Sequence, residues 1–251
     1  MGLRIGRPGA QLMIRVAILA VTPILLAACH TDVTVRASTR AISEAANAPG
    51  PPERALALQI SIETPSADTC RQLASALPQR AKTYGVEASG SQCVNDGSRH
   101  LVEFGTEVPL VVVPHSSSAL RSPLGGSVMA EAFITTFKHV MRERRMGRGY
   151  TLTLFYNQAL FDSLQADLAK EVPPQKFDMS DIHLSVDLEN DLGTNEVVRL
   201  SSAFVDKVPV VNSTANLLAS RQSTDATFSD VAVADFGKRG HKVLLSFYPA
   251  D

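Results

Sequence analysis

Apolar and polar positions alternate along this chain in two rhythms, and each rhythm predicts an element. Residues 55–63, ALALQISIE, alternate with period two and predict a strand. Ser66 and Asp68 are helix-capping types, and after them Cys70, Leu73, Leu77 and Tyr84 recur on one helical face. Pro78 predicts a kink or a split in that helix, and Gly85 its end. Val86 to Cys93 reads as an extended return, and Asp96-Gly97 is a turn signal before two strand-like runs, HLVEFGTEV and PLVVVP. Upstream, Asp32 to Val35 has strand character, whereas residues 38–54, STRAISEAANAPGPPER, are small, polar and rich in Pro and Gly and predict a loop or tether.

After the polar, glycine-rich break at 115–126, residues 128–146 place Met129, Phe133, Phe137, Val140 and Met141 on one stripe and predict a helix capped by Gly147. Lys138, Arg142, Arg144 and Arg145 fall toward its C-terminal half, where a helix dipole favours cations. They form a candidate anion patch, although a solvated helix end is the plainer reading. Tyr150 to Tyr156, YTLTLFY, is the clearest alternating strand. Asn157 caps a further helix with Leu160, Phe161, Leu164 and Leu168 inward, stopped by Pro173-Pro174. The remainder reads as short strands, with a hairpin turn at Asp206-Lys207 and a short helix from Ser229-Asp230 to Gly240.

These elements predict an α+β fold: a strand–helix–strand module, then helices and a mainly antiparallel, sandwich-like C-terminal sheet. The expected divisions are 1–28, a segment removed from the mature chain; 29–54, a first strand and loop; 55–126, an α+β subdomain; and 127–251, a helix–strand–helix and β-rich subdomain.

The first 28 residues have the parts of an export signal: Arg4, Arg7 and Arg15, the apolar run VAILAVTPILLAA, and small residues before Cys29. The apolar run is short for a permanent span, and Pro23 interrupts it. Leu26-Ala27-Ala28-Cys29 resembles the lipobox of bacterial lipoproteins. That resemblance implies cleavage before Cys29, acylation of its thiol and anchorage in a bilayer. His30 follows where that family has Asp for inner-membrane retention, so the implied location is the outer membrane facing the periplasm. Two or three acyl chains, at about 0.8 kcal/mol per buried methylene, hold a protein where one would be marginal.

Export implies an oxidising compartment and leaves Cys70 and Cys93 as the pair available for a disulfide. Their spacing suits neither a Cys-x-x-Cys redox motif nor a zinc site. Hydrophobic residues make up 45% of the chain, enough for a packed core. The net charge is −1, and the three arginines ahead of Cys29 make the rest more acidic still, which argues against a nucleic-acid partner.

Hydrolase, phosphate-loop and dinucleotide signatures are absent. His30, His100, His115, His139, His183 and His241 are scattered, and Asp178, Asp181, Asp187, Glu189 and Asp191 read as outward positions of a strand and its turn. No cofactor and no metal site are expected.

Several stretches, CHTDVTV, VEFGTEVPLVV, HLSVDLENDLGTNEVVRLSSAFVDKVPVV and FSDVAVADFGKRGHKVLL, together with the Cys70–Cys93 region, resemble a family of uncharacterised bacterial and phage lipoproteins known as a domain of unknown function. The resemblance transfers no catalytic residues. It implies an envelope lipoprotein, sometimes carried on mobile elements. The expectation is a non-enzymatic module that meets the bilayer through Cys29 and binds an envelope protein. The alternatives are a cell-wall or lipid hydrolase with an unrecognised site, a carrier of lipid or another apolar ligand, and an exclusion lipoprotein of a mobile element.

Overall fold

The computed structural model describes residues 30–48, 55–113, 124, 126–140, 146–172, 177–210 and 215–250. The chain opens with β1 (Thr31–Ser38), α1 (Thr39–Asn47), β2 (Ala55–Thr64) and α2 (Ala67–Thr83). Then come β3 (Ser89–Asp96), β4 (Arg99–Val113), β5 (Ala130–Val140), β6 (Met146–Tyr156) and α3 (Gln158–Leu168). The C-terminal part holds β7 (Ile182–Glu189), β8 (Glu196–Arg199), β9 (Ala203–Val205), β10 (Val208–Val210), β11 (Ala215–Leu218), β12 (Ser223–Phe228), α4 (Asp230–Arg239) and β13 (His241–Pro249).

The fold is mostly β: one curled half-barrel sheet with helices, so α+β holds only loosely. The sheet runs β10-β9-β12-β7-β1-β2-β4-β5-β6-β13-β8-β11, with β3 on the first half of β4. A single curled layer therefore stands where a C-terminal sandwich was expected. The pairs β1–β7 and β4–β5 are parallel, and every other pair is antiparallel. The break at 115–126 lies between β4 and β5, which pair directly and join both halves of the chain in one sheet.

Strand alternation gives the sheet two unlike faces. One row across four strands is Leu184, Val33, Ile60 and Phe104; the adjacent row is His183, Asp32, Ser61 and Glu103. The apolar rows make the inner face, and all four helices lie on it. Ile42 and Ala45 of α1 and Val233 and Phe236 of α4 join the main core. Leu73 and Leu77 of α2 and Leu164 and Leu168 of α3 form a second cluster with Val102 and Phe104 of β4. A buried leucine contributes about 1.5–3 kcal/mol, so these faces, more than propensity, hold the helices in place.

Two local expectations need correction, and a third is narrowed. The helix predicted over 128–146 is instead β5, paired along its whole length with β6, and Gly147 lies within β6. The error has a geometric source: residues four apart share a face on a helix and also on a strand, so Met129, Phe133 and Phe137 fit both. The β-branched run Ile134-Thr135-Thr136 favours the strand. The predicted loop over 38–54 contains α1, where the Ser38 hydroxyl accepts the Ala41 N–H at 3.1 Å and Ile42 and Ala45 are buried.

Pro78 sits inside α2 without splitting it. Proline removes the N–H that would reach the carbonyl four residues back, here Ala74. The Ser91 hydroxyl of β3 donates to that carbonyl at 2.9 Å, so the acceptor stays satisfied and the helix runs on.

Several capping and turn signals agree with the structure, while Pro173-Pro174 lies outside the described residues. Asn157 and Ser229 cap α3 and α4, and Gly240 closes α4 in the left-handed conformation. Asp206 and Lys207, both at positive φ, turn the β9–β10 hairpin.

Candidate functional site: an apolar cavity beneath the half-barrel

The curled sheet and its helices line a partly open cavity of about 150 Å³. Val33, Leu58 and Ile60 form its sheet side, Leu77 and Ala81 come from α2, and Leu164 from α3. Phe236 of α4 closes another side against the ring of Tyr156, 5.0 Å away. The Tyr156 hydroxyl donates to the Gly237 carbonyl at 2.8 Å, and burial pushes its pKa up. The lining is mostly apolar; Thr31, Thr106 and Gln165 are its polar residues, and the Thr31 and Thr106 hydroxyls are buried without a hydrogen-bond partner among the described residues. The apolar majority favours an apolar group over bulk water.

The cover of the cavity is cross-linked. Cys70 of α2 and Cys93 of β3 form the expected disulfide, with Cα atoms 5.5 Å apart. The α2–α3 contact is tied by the Tyr84 hydroxyl, which donates to Asp167 at 2.5 Å, and by an Arg80–Glu171 ion pair. The bond to Asp167 raises the Tyr84 pKa. Hydrogen bonds from Lys170 and then Tyr84 lower that of Asp167.

A second cluster stands on the opposite, polar face of the sheet. His30 and Asp32 lie two residues apart beside β7, and Asp32 is in register with His183. His30 Nε2 is 2.8 Å from His183 Nδ1, and each of these nitrogens is 3.3 Å from Asp32 Oδ1. The sequence by itself predicts no metal site here. Its histidines are 153 positions apart, and only the parallel β1–β7 pairing brings them together. The His-x-Asp alternation leading into β1 is legible in the sequence; the partner strand is not.

Of the other residues singled out, Cys29, Arg142, Arg144 and Arg145 lie outside the described residues. Lys138 is exposed on β5, a strand, so a helix dipole gives it no support. The acidic run is divided. Asp187 and Glu189 occupy alternate positions of β7, as read, whereas Asp191 binds the start of α1. Its carboxylate accepts from Ser38 at 2.7 Å, from the Arg40 N–H at 2.8 Å and from Thr39 at 3.2 Å. Burial pushes its pKa up, but these hydrogen bonds outweigh that and hold it below the usual range. Next to it, the fully buried Asn190 donates to the carbonyls of Thr194 and Leu218 and accepts from Leu192 N–H, which fixes the turn after β7.

No curated protein and no solved structure matches the chain. A family model does match, over residues 53–249; β1 and α1 precede the matched span although β1 is an interior strand of the sheet. The chain belongs to the DUF7424 family, a domain of unknown function.

Proposed function

We propose that this protein is a lipid-anchored component of the bacterial cell envelope, held to the outer membrane by acylated Cys29, whose half-barrel binds a small apolar group. The cavity carries the second part of this reading. Left unfilled, a void of about 150 Å³ forgoes, at about 24 cal/mol per Å³, some 3.6 kcal/mol of packing. That is a large share of the roughly 5–15 kcal/mol by which domains are stable. A void this size takes a group as large as a benzene ring. Of the readings open from sequence, the apolar-ligand carrier thus gains support. Binding of an envelope protein partner remains compatible with it, and hydrolysis or mobile-element exclusion gains no observation. The export signal and the Leu26-Ala27-Ala28-Cys29 motif support the anchor. No described helix is long and apolar enough to cross a membrane.

Two measurements test the two parts. Benzene should raise the melting temperature of the purified protein in a concentration-dependent way, because a ligand that binds only the folded state stabilises it. A flat response refutes the cavity reading. Separately, Cys29→Ser should abolish palmitate labelling and release the protein from the membrane fraction. Persistent labelling refutes the anchor.

A further inference from the structure

We propose that His30, Asp32 and His183 form a binding site for a divalent transition-metal ion, with zinc the best match. The proposal stands on the geometry of the polar face and needs neither the cavity nor the anchor. Four ligands at about 2.0–2.1 Å from a tetrahedral zinc ion lie about 3.3 Å from one another. The two nitrogen-to-carboxylate separations here, both 3.3 Å, match edges of such a tetrahedron, and the third, 2.8 Å between the imidazole nitrogens, is shorter, so the two rings would part slightly around a bound ion.

The two distances to the carboxylate are long for the groups serving one another. A charge-assisted N–H···O⁻ bond is usually about 2.7–2.9 Å long, shorter than either nitrogen-to-carboxylate distance. The close pair of imidazole nitrogens makes an ordinary hydrogen bond, one neutral ring donating and the other accepting, which a bound ion would replace. A cation between them would take one donor atom from each of the three residues.

The donor set is also chemically suited. Two imidazoles and a carboxylate favour zinc and its neighbours over calcium or magnesium, which prefer all-oxygen shells. Its placement is stiff. Two ligands alternate onto one face at β1, the third comes from the strand hydrogen-bonded to it, and the His30 carbonyl accepts the Glu63 N–H at 2.8 Å. The side chains are partly exposed, at 37%, 45% and 55%, which leaves the fourth vertex open to water or to a donor from another molecule. Metal bound here would bridge β1 to β7 and fasten the first described residues to the middle of the sheet.

The test is a calorimetric titration of zinc chloride into the full-length protein, with a visible spectrum of the cobalt(II) form. One equivalent should bind, cobalt should show the intense absorption of a four-coordinate site, and zinc should raise the melting temperature. His183→Ala and Asp32→Asn should each weaken binding by at least about tenfold, while His100→Ala binds like the wild type. Melting curves without metal should coincide for wild type and His183→Ala, since that ring is more than half exposed. Absence of stoichiometric binding, or binding unchanged in His183→Ala, overturns the proposal.

Discussion

Ala81 gives the sharpest handle on the cavity. It is 1% exposed, lies on α2 and lines the void directly. Ala81→Leu adds three carbons and keeps a good helix former in the helix. At about 0.8 kcal/mol per buried methylene, those carbons contribute up to about 2.4 kcal/mol, below the roughly 3.6 kcal/mol that the 150 Å³ void forgoes. Rotamer restriction and imperfect fit reduce this, so a net gain of about 1–2 kcal/mol is expected. For a chain of this size that is a rise of roughly 2–8 °C in melting temperature. The assay is thermal unfolding of wild type and variant with and without benzene. The variant should melt higher alone and gain less from benzene, because it occupies the same space. A lower melting temperature would mean that the void is not open to this side chain. An undiminished benzene response in a stabilised variant would place the ligand elsewhere. Either result refutes the reasoning.

Three further outcomes follow from the contacts around that site. Replacing both Cys70 and Cys93 by Ala opens a loop with a sequence separation of 23, worth about 3.4 kcal/mol on the chain-entropy estimate, and should lower the urea midpoint correspondingly. Ser91→Ala leaves the Ala74 carbonyl beside Pro78 without its donor and should cost about 1–2 kcal/mol in urea unfolding; Pro78→Ala in that background should recover most of it, since the helix then supplies its own N–H. Asp191 has a folded pKa below its unfolded one, so its contribution is present above about pH 4 and is lost as pH falls through the folded value. Asp191→Asn should flatten that acid limb of the stability–pH curve, and an unchanged limb would remove Asp191 from the account.

Local signals were legible wherever the chemistry that ends an element is local. Asn157, Ser229 and Gly240 announce α3 and α4 because caps act within one turn. The disulfide is legible from the cysteine count together with the expected export. Ambiguity began where two periodicities coincide, as in β5, and where composition masked a short amphipathic stretch, as in α1 beside its Pro- and Gly-rich neighbour. What could not be read is long-range pairing. Strand β1 sits between β2 and β7, and its parallel partner is some 150 residues away. Both the closure of the apolar cavity and the meeting of His30 with His183 depend on that pairing. Sequence alone shows the alternation that prepares each strand but not which strand it will face.

The same pairing decides how an anchored protein would be held. Segment 38–54 was one candidate for a tether between lipid and domain, but α1 occupies much of it and it follows β1. Strand β1 begins at Thr31, is hydrogen-bonded on both edges from its first residue, and has Val35 fully buried. Only His30 separates it from Cys29, and two extended residues reach no more than about 7 Å. Acyl chains on Cys29 would therefore pull on an interior strand of the sheet and not on a loose arm. The end of the sheet where β1 starts, with the His30–Asp32–His183 cluster on its polar face, would lie against the headgroups. Lengthening the chain between Cys29 and His30 with a flexible Gly/Ser insert is then expected to leave folding intact but to expose this cluster to membrane-impermeant histidine-modifying reagents. Equal reactivity of His183 with and without the insert would show that the domain already swings free of its membrane.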